Sequence, residues 1–487
     1  MALRYGMRPE EYIEFDATGL ADLVHRGKIT PQELTEAAIE RIEALNGRLN
    51  AVVERDFDAA RSAARGVAAS APLAGVPFLA KDMNIDVAGL HLTSSCRWLG
   101  GLPRATADSP LAARWRRAGL CILGRTNTPE FAGEFVTEPT WRGSTQNPWD
   151  MTRSPGGSSG GAAAAVASGM VPMAHGTDSG GSIRVPAAAC GLVGFKPSRG
   201  VVPVGPHHDE LAGGLDCEHV LTRSVRDSAL MLDLTGGAES VSRYPWKRPA
   251  AAFAAAPDAP LPPLRIGIAM RSPAGLAPVG EIGLAVEAAA STLARAGHRI
   301  TEFHYPASAN VGEPAAIVWM SAIAEEINFY RHAVGREPGR DELEALTWAS
   351  VELGKRCNAV DYVRARRALT TATREMAGAF EAIDMLLLPT TADLPPRTGQ
   401  IDGRTEAFAL DRWNEKSYGY APYTEIFNVT GQPAISLPLA MSGGGLPIGV
   451  QLAAPLGEDA RVLALAGWFE RERPWTATLA ELRRRFL

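Results

Sequence analysis

The stretch GGSSGGAAAAVASGMVPMAHGTDSGGSIRVP, residues 156–186, restricts what this chain can become more than any other part of it. Two clusters of glycine and serine, Gly156–Gly161 and Ser179–Ser182, stand on either side of an alanine-rich apolar run. Ala162–Ser168 has the composition of a buried helix, because small side chains let a helix approach its neighbours closely. Glycine lets the backbone turn tightly and come near a ligand with no Cβ in the way. The pattern predicts two serine-bearing loops at opposite ends of one packed helix, facing a common space. A site that uses hydroxyls and bare backbone N–H groups accounts for Ser158, Ser159, Ser179 and Ser182 in such glycine-rich settings; ordinary turn chemistry does not.

Around this stretch, helical and strand patterns alternate. Thr30-Pro31-Gln32-Glu33 combines a capping threonine, a proline at the first helical position and a glutamate where a capping box needs one. Residues 17–65 read as helical, with Leu34, Ala38, Ile42 and Leu45 on one face. Gly75–Ala80 is an apolar run typical of a buried strand, and it delivers Lys81-Asp82. Pro110–Ala118 reads as helix and Gly119–Gly124 as strand; Leu264–Ala269, Glu281–Ala296 and Arg299–Tyr305 repeat the alternation. This predicts βαβ units in a mainly parallel sheet. Ala315–Ala379 is helical, Met385–Pro389 a buried strand, Ala434–Pro438 and Ile448–Leu452 a strand pair, and Ala460–Arg471 a closing helix. The Pro- and Ala-rich run PWKRPAAAFAAAPDAPLPP, residues 245–263, has no apolar period and reads as a surface connection.

Composition narrows the class. Lys+Arg 49 against Asp+Glu 54 leaves a net charge of −5, without the basic footprint that nucleic acid demands. Cys96, Cys121, Cys190, Cys217 and Cys357 are scattered with no CxxC pair, which argues against a disulfide framework and fits a reducing compartment. No run of about 18 apolar residues occurs, and the first residues carry no signal-peptide core; the expected location is the cytoplasm, away from membranes. His175 is surrounded by apolar residues, and His207-His208 lack a third partner at metal spacing, so neither a metal nor a cofactor is expected.

Lys81 has two readings: a solvated lysine at a strand end, or a buried amine whose pKa falls toward that of a base. Gly156–Gly161 has three. A phosphate cradle lacks its GK[ST]. A nucleophile elbow is satisfied by Gly156-Gly157-Ser158-Ser159-Gly160, but STQNPWDMTRSP before it is no strand pattern. The third is a serine–serine–lysine site.

GVPFLAKD (75–82), GRTNTPEF (124–131), PGGSSGGAAAAVA (155–167), GTDSGGSIRVPA (176–187), GLVGFKPSRG (191–200) and GQPAISLPL (431–439) resemble, in order, segments of the amidase signature family. TEPTWRGSTQNPWD (137–150) and PYTEIFNVTGQPAISLP (422–438) are similar to its branch of 6-aminohexanoate cyclic-dimer hydrolases and aryl-amide and carbamate hydrolases. The resemblance implies one domain over residues 1–487, an α/β/α sandwich with a mixed central sheet covered by helices. Its parts are an N-terminal helical part to about 68, the signature core from about 69 to 240, the connection, and a C-terminal part from about 264 completing the same body. Carried over by position, the catalytic lysine falls on Lys81, the cis-peptide serine on Ser158 and the nucleophile on Ser182, 24 residues further on.

The chemistry implied is hydrolysis of C–N bonds in small uncharged amides, with anilides, carbamates or urethanes and cyclic amides in range, through an acyl-enzyme on Ser182. Backbone N–H groups of Ser179, Gly180, Gly181 and Ser182 would meet the developing oxyanion. Asp178, Arg184 and Asn127 read as loop supports; Thr177, Trp141, Trp319 and Phe427 are the candidate substrate contacts. Selectivity is expected from segments 137–149, 204–219, 315–330 and 411–430. The expected partner is the small amide alone, with the chain a monomer or homodimer. The competing readings are a glutaminase subunit of a tRNA-dependent amidotransferase, a GxSxG esterase and a catalytically dead binding protein.

Overall fold

The computed structural model describes residues 7–240, 242–244, 246, 251–405 and 408–487. Residues 245 and 247–250 of the Pro/Ala-rich connection lie outside them. Eleven strands form one sheet. In chain order they are β1 (Val52–Arg55), β2 (Pro77–Lys81), β3 (Cys121–Thr126), β4 (Met173–Thr177), β5 (Val193–Lys196), β6 (Glu218–Thr222), β7 (Arg265–Ile268), β8 (Arg299–Glu302), β9 (Met385–Pro389), β10 (Ala434–Met441) and β11 (Pro447–Ala453). Their order across the sheet is β1-β3-β2-β4-β6-β5-β10-β11-β9-β7-β8.

The sheet is mixed. Four pairings are parallel, β2–β3, β2–β4, β7–β8 and β7–β9, and six are antiparallel. The alternating pattern had pointed to a mainly parallel sheet. β5, β6, β10 and β11 alter that balance, because β4–β6, β5–β6, β5–β10, β10–β11 and β9–β11 all pair antiparallel. β2, β3 and β9 are buried along their whole length, as apolar strands covered on both faces must be.

The reading of residues 17–65 as helical needs one correction. Helices Ala17–His25, Pro31–Leu49 and Phe57–Gly66 are present, but β1 lies between the last two. Asn50 ends the second helix in the left-handed region, at φ +48°. The Asn46 carboxamide then turns the chain, accepting from the N–H groups of Ala51 and Val52 at 2.9 and 2.8 Å. The capping box at Thr30 forms as its residues require: Thr30 Oγ1 accepts from Glu33 N, and Glu33 Oε2 from Thr30 N.

The two serine clusters also sit differently from the expectation of opposite helix ends. Helix Gly160–Ala167 runs away from Ser158-Ser159, and β4 brings the chain straight back. Both clusters therefore lie at the same end. Ser159 N donates to Ser182 O at 3.2 Å, and Ser159 Oγ donates to Thr177 O at 3.2 Å.

Candidate active site

Parallel β2 and β4 are neighbours, and they carry Lys81 and Thr177 at their carboxyl ends. In α/β sheets that end of parallel strands is where ligands bind. Beside them starts helix Gly160–Ala167, all of whose residues are buried. Its approach depends on glycine: a Cβ on Gly161 would lie 2.4 Å from Asn127 N. The Gly157–Ser158 peptide is cis.

Lys81 is wholly buried, and its Nζ donates to Ser158 Oγ at 2.6 Å and to Thr177 Oγ1 at 2.7 Å. Burial outweighs the surrounding negative charge and lowers its pKa from the ordinary 10.5 to about 8. That negative charge comes chiefly from Asp216, then Glu218 and Asp178. Asp216 and Glu218 are themselves pushed up, first by burial. Asn84 Nδ2 joins the two acids, donating to Asp216 Oδ2 at 2.7 Å and Glu218 Oε1 at 2.9 Å. His175, expected to stand alone among apolar residues, completes the layer. The Lys81 N–H donates to His175 Nδ1 at 3.2 Å, so a neutral ring carries its proton on Nε2 and donates to Glu218 Oε2 at 2.5 Å. Burial, then the charge of Lys81, holds the His175 pKa well below the usual imidazole range.

The second serine cluster is braced by the Asp178–Arg184 pair, in which neither side chain is exposed. Arg184 Nη2 donates to Asp178 Oδ1 at 2.7 Å and Nε to Oδ2 at 2.9 Å, while Asp178 Oδ2 also accepts from Ile183 N. Arg184 reaches on to Asn428 Oδ1, Gln451 Oε1 and the Thr424 carbonyl. None of these three partners was found from the sequence, because each lies some 240 residues or more from Arg184 along the chain. Thr424 Oγ1 donates to Gly180 O at 2.5 Å, and Gly181 adopts φ +138°, where an added Cβ would meet Thr424 Oγ1 at 2.3 Å. Among the described residues, the N–H groups of Ser179, Gly180, Gly181 and Ser182 have no acceptor. The turn thus leaves bare donors beside the Ser182 hydroxyl, as an oxyanion site needs.

Ser179, Gly180 and Ser182 open onto a cavity of about 80 Å³, walled by Phe135, Trp319, Trp413 and Tyr418 among others. Of the four candidate contacts, only Trp319 lies on this wall. Thr177 is buried, with its hydroxyl taken by Lys81. Phe427 is a fully buried core residue. Trp141 stacks under the Arg142 guanidinium at 3.6 Å and does not line the cavity. Asn127 fastens a neighbouring loop, its Nδ2 donating to Gly143 O at 2.9 Å and Thr145 Oγ1 at 3.0 Å. Of the four segments expected to set selectivity, 204–219, 315–330 and 411–430 supply wall residues and 137–149 supplies none. Ala132–Phe135 and helix Ala345–Arg356 supply others that sequence reasoning missed. Among the described residues, no group of three or more His, Cys, Asp or Glu could hold a metal ion, and no helix is long and apolar enough to cross a membrane.

Residues 33–463 match the profile of the Amidase family. The 6-aminohexanoate-cyclic-dimer hydrolase of Paenarthrobacter ureafaciens is 38% identical over 501 residues, covering 96% of each chain. A solved 6-aminohexanoate cyclic dimer hydrolase complexed with substrate superposes with a TM-score of 0.92 at 35% identity, over 97% of this chain and 99% of that one. A bacterial aryl acylamidase of the amidase signature family gives a TM-score of 0.87 at 28% identity, covering 96% and 98%. With a profile match over most of its length and relatives aligned nearly end to end, this chain belongs to the amidase family and is an amidohydrolase.

Proposed function

We propose that the chain hydrolyses small amides through an acyl-enzyme on Ser182, with Ser158 as proton relay and Lys81 as base. The observation that carries this reading is a buried amine 2.6 Å from a buried serine hydroxyl, in the same cluster whose next residue bonds the Ser182 carbonyl. An unprotonated Lys81 keeps N–H donors for Thr177 and gains a lone pair for the Ser158 proton. As that proton moves to Nζ, Ser158 Oγ takes the proton of Ser182, whose oxygen bonds the carbonyl carbon. The oxyanion that forms is met by free N–H groups from the turn of Ser179, Gly180, Gly181 and Ser182. As the C–N bond breaks, the proton returns from Lys81 through Ser158 to the departing nitrogen; otherwise the amine is a poor leaving group. Water then attacks the ester, with Lys81 and Ser158 again taking and returning a proton.

The substrates proposed are linear and cyclic amides, anilides and carbamates. The similarity to the cyclic-dimer hydrolases and to the aryl acylamidase supports the cyclic and aryl amides in that range; carbamates rest on the resemblance of residues 137–150 and 422–438 alone. We further propose a cytoplasmic monomer or homodimer acting on small molecules, without nucleic acid or membrane. The GxSxG esterase reading is disfavoured, since no strand leads into Gly156 and the Ser158 hydroxyl bonds a lysine rather than a histidine. Ser182→Ala should abolish turnover of an anilide and covalent labelling by a fluorophosphonate, read by mass spectrometry. Labelling that persists on another serine would refute the assignment.

A further inference from the structure

Two acidic residues that the mechanism does not use, Glu134 and Glu425, stand in the wall of the cavity beside Ser182. Glu134 is only 4% exposed. Its Oε1 accepts from Trp413 Nε1 at 2.8 Å, but its buried Oε2 has no hydrogen-bond partner among the described residues. Glu425 receives a single long bond, from the Tyr418 hydroxyl at 3.4 Å. Neither acid forms an ion pair with a described residue. Arg404, whose charge reaches Glu134, is already bound to Glu138 at 3.3 Å and Asp402 at 3.0 Å.

A buried acceptor left without a donor is costly, and so is a buried carboxylate without a cation. Burial pushes Glu134 up to about 8 and Glu425 up to about 7, so both groups would ionise fully near neutral pH only when a cation arrives. The rest of the wall suits the same visitor. Phe135, Trp413 and Tyr418 meet edge to face, with ring centroids 6.1 and 6.5 Å apart, and aromatic faces attract an ammonium group.

We propose that this cavity receives a primary ammonium group carried by the substrate some bonds away from the scissile amide, with Glu134 and Glu425 as its carboxylate partners. The inference rests on the hydrolase reading above and narrows it: the amide that is cut is neutral, but the molecule that carries it is a cation.

The test uses substrate pairs matched in heavy atoms. On the acyl side these are 6-aminohexanoyl and heptanoyl p-nitroanilide; on the amine side, N-(5-aminopentyl)benzamide and N-hexylbenzamide. In one pair the amino member should have a kcat/KM about tenfold higher, the scale of a hydrogen bond to a charged group. Glu134→Gln should collapse that ratio toward one, with Glu425→Gln acting in the same direction. The glutamine carbonyl still accepts from Trp413, and the uncharged member of each pair reports on the variant's integrity. Equal or better turnover of the uncharged member in both pairs overturns the proposal, as does an equal loss on both members in the variants. In those cases wild-type turnover and Ser182 labelling persist, so the hydrolase reading stands. Absence of both turnover and labelling would remove that reading, and this inference with it.

Discussion

Two parts of the sheet are built alike and end differently. β2 and β3 form a parallel pair with helix Pro110–Ala118 between them in the chain; β7 and β8 form another, with helix Gly280–Arg295 between. β2 sits between β3 and β4, buried throughout, whereas β8 is the last strand of the sheet and both its ends are exposed. Each unit carries a cation at a strand end. Lys81 closes β2 without contact with water, and its amine is driven toward neutrality. Arg265 opens β7 in solvent, paired with Asp384 at 2.9 Å, and its charge is reinforced, first by that hydrogen bond. The strand pattern is therefore indifferent to chemistry. Depth in the sheet decides whether a basic side chain is driven toward neutrality or kept as a surface ion.

The largest effect should separate these two cations. Lys81→Ala should lower kcat/KM for an anilide by about 10⁴-fold, the upper range for loss of a positioned acid–base group. Lys81→Arg should not restore it, because a guanidinium stays protonated and cannot take the serine proton. Arg265→Ala should leave kcat/KM unchanged. A Lys81→Ala protein that folds, by its melting curve, and still turns over at near wild-type rate would break the comparison.

A second contrast concerns ion pairs. Asp178→Asn leaves the Arg184 guanidinium buried with one fewer charge against it, and should cost about 3–5 kcal/mol of stability, as for other broken buried pairs. Asp384→Asn removes the half-buried partner of the exposed Arg265 and should leave the denaturation midpoint almost where it was. Urea unfolding of both variants reads this directly; equal small shifts would mean that the Asp178–Arg184 network is not what holds the second serine turn.

What could be read from the sequence follows the same divide. β2 declared itself through an unbroken apolar run, and helix Pro31–Leu49 through its capping box, because both signals are local. Lys81, Ser158 and Ser182 were picked out by resemblance in their surrounding segments. β4 was missed: MAHGT is short, with a glycine and a histidine where a strand pattern expects apolar residues. β6 starts on Glu218, which reads as a surface residue until His175, 43 residues earlier, is seen to bond it. Glu134 escaped for the same reason, since its indole donor lies 279 residues away. Burial of an acid depends on such distant partners, and no local pattern encodes them.

The smallest effect tests whether the layer beneath Lys81 sets its proton affinity. If Lys81 acts as the base, it must be neutral in the free enzyme, so kcat/KM should rise with pH through about 8 and fall on acidification. Asp216 opposes burial: its negative charge favours the ammonium form and is the largest of the influences that hold the Lys81 pKa up. Asp216→Asn keeps the oxygen that accepts from the N–H groups of Asp178 and Cys217 and removes the charge, together with the Oδ2 that accepts from Asn84. With that charge gone, burial acts with less opposition, the ammonium form loses support, and the acid limb of the profile should move to lower pH. The variant would then be relatively more active than wild type on the acid side, even if its maximum is lower. A general loss of positioning would lower the whole curve without displacing it, and a limb that stays put or moves upward would mean that Lys81 does not feel Asp216 as this arrangement requires.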